Sequence, residues 1–253
     1  MNGSAPAMDN LERGLIVAGA LVVAGAGWSY LVFADASMAS AMFGMPGMGG
    51  WGAVDYLLAV VMWMAMMAGM MLPSALPVLL LYHGIARRSR ELGREAGSVG
   101  LFGLGYLLVW CGFSILAAAL QGLLAALSAT TAESVATPWL GALLLIAAGI
   151  YQWLPFKQAC LAHCRGPIDY LAHHWRLGPL GALEMGTRHG AYCLGCCWAL
   201  MALLFVFGVM NLAWVAALAL FVLAEKIMPF GAWLRRAGGA AFIAGGVGYA
   251  VWG

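Results

Sequence analysis

The chain has 253 residues, 64% of them apolar and only 9% charged, with a formal net charge of +2. A soluble domain carries about 25% charged residues, so this composition excludes one, and the lack of a basic patch beyond short loops excludes a nucleic-acid role. What remains is an all-α, polytopic transmembrane helix bundle in the lipid bilayer, in which 35 glycines let helices approach closely where packing drives association.

About seven spans are expected in one integral membrane domain over 1–253: 14–33, 56–84, 99–128, 138–156, 192–208, 212–229 and 237–252. Met1 to Arg13 carries Asp9 and Glu12 against a single arginine. A signal peptide has a basic start and a shorter apolar core, so 14–33 reads as a retained first span. The 34–55 connection follows, a Gly-rich segment with Met38, Met42, Met45 and Met48 at gaps of four, three and three. Such a segment has little core for methionine to fill. Thioether is a soft, uncharged ligand that selects Cu(I) over harder divalent ions.

Span 2 continues the sulfur theme, since ten of the sixteen methionines lie between 38 and 71. On a helix Met62, Met66 and Met70 form one stripe, and Met64, Met67 and Met71 a neighbouring one. Methionine is also a common core filler, and both readings stand for this span. Pro73 and Pro77 interrupt the backbone ladder, as in helices that line a polar path or pack against a partner. In span 3 the lone Cys111 reads as a small core residue.

Between Phe156 and Trp198 fall five of the six cysteines and four of the five histidines. Cys160, His163 and Cys164 share one helix face, as do Cys193, Cys196 and Cys197, with His189 one turn earlier. Two clusters of soft ligands at i, i+3, i+4 spacing predict a metal site built from two facing helices. A redox pair, Cys193-x-x-Cys196, is the chief rival. His173 and His174 read as surface residues on a short interfacial helix, one of which would complete the site in a variant of this reading. In span 6, Glu225 and Lys226 read either as an ion pair at the interface or as functional charges, with Glu225 orienting a ligand histidine from behind.

All twelve basic residues fall on one side of the seven-span assignment, and Asp35, Asp55 and Glu133 on the other. The positive-inside rule then gives an N-in/C-out topology, a cytoplasmic Cys/His loop at 157–191 and an extracytoplasmic Met-rich loop at 34–55. In a bacterial inner membrane the cysteines face a reducing compartment, and disulfides are not expected.

The chain resembles a family of predicted metal-binding integral membrane proteins, domain of unknown function 2182. The matching features are Met70-Met-Leu-Pro73, Tyr151-Gln152 with Pro155 and Lys157, Cys160-Leu-x-x-Cys164 and Gly186-x-x-His189-Gly190. Cys193-x-Gly-Cys196-Cys197-Trp198, Met201, Met210-Asn211 and Glu225-Lys226 complete the set. The resemblance spans about residues 55 to 230 and implies a metal-binding bundle without an established reaction.

The sequence thus predicts a multi-pass inner-membrane protein that handles Cu(I) by uptake, delivery or sensing, with Zn or Fe as alternative ions. A cytoplasmic copper chaperone or the subunits of a membrane complex are the expected partners; oligomeric state is left open. No nucleotide-binding loop is present, which argues against a primary pump. The rival expectations are an intramembrane thiol or metal redox enzyme and a Zn-stapled structural subunit.

Overall fold

The computed structural model describes residues 5–37, 52–127, 138–208 and 211–252. Met38, Met42, Met45 and Met48 lie outside the described residues. The described residues are helical almost throughout: α1 (Ala5–Ser37), α2 (Ala53–Glu91), α3 (Val99–Leu127), α4 (Pro138–Tyr151), α5 (Pro155–Arg165), α6 (Pro167–His174), α7 (Gly178–Ala202), α8 (Leu204–Phe207), α9 (Leu212–Ile227) and α10 (Gly231–Trp252). Among the described residues the sole extended pairing is an isolated bridge between Ala96 and Gly178.

Among the described residues four helical stretches are long and apolar enough to cross a membrane: Asn10–Phe33, Ala53–Glu91, Val99–Ala126 and Gly178–Phe207. A fifth is reached if Trp139–Tyr151 and Pro155–Arg165, bent by 63° against each other, form one broken span. The segments expected at 212–229 and 237–252 form α9 and α10, which are not among them; α9 has only 16 residues.

Two expected boundaries are corrected. The span placed at 138–156 ends as a helix at Tyr151, because Pro155 disfavours helical geometry in the residue before it. Leu154 is accordingly extended, at φ −66° and ψ 142°, and Pro155 opens α5 at its first position, where its missing N–H costs nothing. The span placed at 192–208 belongs to a helix that begins at Gly178. Gly178 takes φ +79°, a conformation glycine adopts without penalty, and Pro179 follows at the helix start. Residues 157–191 are therefore α5, α6 and the first half of α7 rather than a loop. Apolar scanning misses that first half because it is amphipathic, with Glu184 pairing with Arg176 at 2.8 Å and Arg188 at 3.0 Å on its exposed side.

The core is lined by α2, α3 and α7, with Trp63, Met66, Met67, Tyr82, Phe102, Tyr106, Met185 and Cys193 all deeply buried. Helices α3 and α7 nearly touch: a methyl group on Gly186 would collide with the Phe102 carbonyl, and one on Gly105 with the Leu183 carbonyl. Small residues at such crossings replace the hydrophobic drive that lipid does not supply. Helix α2 runs through Pro73 and Pro77. Between the two prolines and the methionine stripe, the Met71 carbonyl accepts from Ser74 Oγ at 2.8 Å and Tyr106 Oη at 3.2 Å.

Candidate metal centre

The bend between α4 and α5 turns the Cys160-x-x-x-Cys164 face onto the middle of α7. Cys164 comes within interaction range of both Cys193 and Cys196 across this contact, so the two sequence clusters, 29 residues apart from Cys164 to Cys193, do converge. Cys193, Cys196 and Cys197 are each 1% exposed. Cys160 stands at the edge of the group, close enough that a methyl on Gly195 would lie 2.8 Å from its sulfur. All six cysteines are free thiols.

The thiols are turned onto one another and onto their own helix. Cys196 and Cys197 donate to the Cys193 carbonyl at 3.1 and 3.0 Å. Among the described residues, no three Cys, His, Asp or Glu side chains are arranged as a ready metal cage. Sulfur ligation here therefore calls for rotation of Cys196 or Cys197 away from that carbonyl. Such a rotation exchanges one weak S–H hydrogen bond for a metal–sulfur bond.

Cys193 is the focus. Tyr106 Oη lies 3.0 Å from its sulfur and Lys226 Nζ 3.1 Å, and Lys226 also donates to Ser74 Oγ at 2.9 Å. The sequence offered no reason to pair Lys226 with a cysteine 33 residues away. Its position on α9, against Ser74 of α2, is a product of the tertiary fold. Tyr106 joins the two sulfur regions, since the same hydroxyl meets both the Met71 carbonyl and the Cys193 thiol. Met62, Met66 and Met70 are buried in the core. Of the neighbouring stripe, Met67 and Met71 are buried but Met64 is 40% exposed and faces outward.

His189 is buried one turn before Cys193, ringed by Phe102, Tyr106 and Tyr170 at centroid distances of 6.1, 6.0 and 5.1 Å. Its Nδ1 is buried without a hydrogen-bond partner. An orphaned imidazole nitrogen in an apolar wall costs free energy unless something occupies it, which fits a ligand role. His163, grouped with the thiols by spacing, stacks instead on Tyr192 at 4.1 Å with parallel rings. His174 joins it, while His173 is exposed as expected of a surface residue. The fifth histidine, His83, which the sequence did not single out, is buried on α2 with Nε2 3.1 Å from the Glu12 carboxylate of α1.

Glu225 and Lys226 do not pair with each other. Glu225 takes Lys157 of α5 at 2.8 Å, both side chains almost wholly buried, and Lys157 also donates to Gln152, whose carbonyl accepts from Arg235. Glu225 thus braces the helix that carries Cys160 and Cys164 rather than a histidine. This also revises the charge count behind the expected topology, since Lys157, Lys226 and Arg235 are buried partners and not surface charge.

The arrangement defines a helical protein with membrane-length apolar helices, in which a closed cluster of thiols from two helices meets one buried amine and one buried imidazole. The chain belongs to the PpoB2 family, described as a copper chaperone, which matches residues 60–249. That match contains every cysteine and excludes the 38–48 methionines. No curated protein and no solved structure matches the chain.

Proposed function

We propose that this is a multi-pass inner-membrane protein that accepts Cu(I), holds it on thiolates inside the bundle and delivers it to an acceptor on the cytoplasmic side. The family supports a copper-related role. The observation that carries the rest is the meeting of Cys164 on α5 with Cys193 and Cys196 on α7, beside an amine that touches Cys193. Cu(I) accepts about two or three thiolates in a closed, dry setting. Two thiolates on a monovalent ion leave one negative charge, which the Lys226 ammonium offsets; the same ligands on a divalent ion would leave Lys226 with no charge to meet. Burying an unbalanced charge is costly, so this centre favours the monovalent ion.

The methionines are the supply route in this reading. Met38, Met42, Met45 and Met48 collect the ion outside, the Met62, Met66 and Met70 stripe carries it inward, and the order from thioether to thiolate tightens binding along the way. Seven spans with the amino terminus inside remain the proposed topology, with α9 and α10 as the short sixth and the seventh, and the resemblance to domain of unknown function 2182 accords with it. The test is anaerobic purification followed by Cu(I) titration against a chromogenic chelator. Wild-type protein is expected to hold copper through chelator challenge, and Cys193→Ser with Cys196→Ser to lose it. Equal retention by both ends the proposal.

The contact of Lys226 with Cys193 also suits a thiol oxidoreductase that uses Cys193 and Cys196. That second reading expects a Cys193–Cys196 disulfide to be trapped on oxidation and copper to be dispensable.

A further inference from the structure

On the face where α5, α6 and α7 meet, two imidazoles are held by the same two devices. His163 lies flat on Tyr192 at 4.1 Å, with rings parallel within 1°, and its Nδ1 lies 2.9 Å from the Ala159 carbonyl. His174 stacks on Tyr170 at 4.9 Å and 20°, with its Nδ1 3.0 Å from the Tyr170 carbonyl. A carbonyl only accepts, so Nδ1 carries the proton in both rings and Nε2 is left as the basic nitrogen. Fixing one nitrogen through a hydrogen bond is how metal-binding histidines are given their tautomer and orientation. The tyrosine faces add the second restraint. Tyr170 is itself anchored by donating its hydroxyl to the Met185 carbonyl, and burial pushes that phenol's pKa upward, so it stays neutral.

The ring centres of His163 and His174 are 6.2 Å apart. Two imidazoles on a two-coordinate ion, with metal–nitrogen bonds of about 2 Å, have ring centres roughly 6 Å apart. Both histidines are half-buried, as Cys164 is, whereas His189, Cys193, Cys196 and Cys197 are closed off. Tyr170 spans the two, with its ring 4.9 Å from His174 and 5.1 Å from His189.

We infer that His163 and His174 form a second, outer Cu(I) station of two imidazoles, through which the ion passes between the buried thiols and a water-soluble acceptor. The inference rests on the copper reading above. Passage is ligand exchange: nitrogen–copper bonds form as the sulfur–copper bonds break, one vacated thiolate keeps Lys226 as its counter-charge while the other takes up a proton from water, and copper stays monovalent throughout. Neutral imidazoles hold Cu(I) less tightly than thiolates, which suits a station that must release.

The experiment uses the full chain in detergent, reduced and titrated with Cu(I) against a chromogenic chelator, with X-ray absorption to identify ligand atoms. The variant with Cys164, Cys193, Cys196 and Cys197 all changed to serine is expected to keep one weaker equivalent of Cu(I) on nitrogen ligands. Adding His163→Asn or His174→Asn should abolish that equivalent. Adding His173→Asn, which alters a neighbouring exposed histidine with the same backbone contact, should leave it in place. Tyr192→Leu should weaken it by about tenfold. Should the four-serine protein misfold, the wild-type thiols serve: His163→Asn with His174→Asn should leave tight binding unchanged while slowing copper transfer to the chelator. Nitrogen-bound copper that survives loss of both histidines, or transfer that is unaffected, overturns the outer station while leaving the thiol reading intact. A wild-type protein that binds no Cu(I) overturns both.

Discussion

Two buried side chains on α9 do unlike work although they are adjacent in sequence. Lys226 meets the Cys193 sulfur, so its ammonium acts on the charge of whatever the thiols hold. Lys226→Met keeps the volume and removes the charge, and is expected to cut Cu(I) retention and narrow the preference over Zn²⁺, read by competition of the two ions for the purified protein. Glu225 meets Lys157 instead, an ion pair taken wholly out of water. Breaking such a pair from one side leaves an uncompensated charge and costs about 3–5 kcal/mol. Glu225→Gln should therefore lower stability in detergent unfolding by that order. The double change Lys157→Met with Glu225→Leu should recover most of the loss, because a buried pair is frequently replaceable by apolar groups. Recovery of stability without recovery of copper retention would separate the bracing of α5 from the chemistry of the thiols.

The element that decides the site is the break between α4 and α5. A straight helix through 138–165 would carry Cys160 and Cys164 along the span axis; the 63° bend presents them sideways to α7. The other half of the contact depends on α7 lying against α3 at glycine-to-backbone distance, which lets Tyr106 reach Cys193. Gly186→Val puts a branched side chain where a single methyl already collides with the Phe102 carbonyl. It should separate the two helices, lower the unfolding midpoint and loosen copper binding together. Gly245→Ala, where nothing lies within 4 Å of an added methyl, is the matched control and should change neither.

At the scale of the whole molecule, the family match from 60 to 249 divides the methionines into two groups. Met62, Met66 and Met70 lie inside it and in the core, while Met38, Met42, Met45 and Met48 lie outside it. If the outer methionines collect the ion, replacing all four with leucine should leave Cu(I) binding by the purified protein intact and reduce cellular copper accumulation. Metal content by mass spectrometry and uptake in cells measure the two quantities; a loss of binding in the purified protein would mean that these residues belong to the centre itself.

Composition and periodicity were enough to state that the chain is helical and membrane-suited, and that Cys160 with Cys164, and Cys193 with Cys196 and Cys197, each share a helix face. These properties are set by local periodicity and by the free energy of placing each side chain in lipid or water, and both can be read from neighbours in sequence. The extent of α7 was not legible, because its amphipathic first half lacks the apolar signal of a span, nor was the division of histidines between an inner wall and an outer face. The partnering of Lys226 with Cys193, of Glu225 with Lys157 and of Tyr106 with both sulfur regions was decided only by the tertiary structure. Each joins residues dozens of positions apart, and in an apolar interior a polar group takes whichever partner the packing brings within reach.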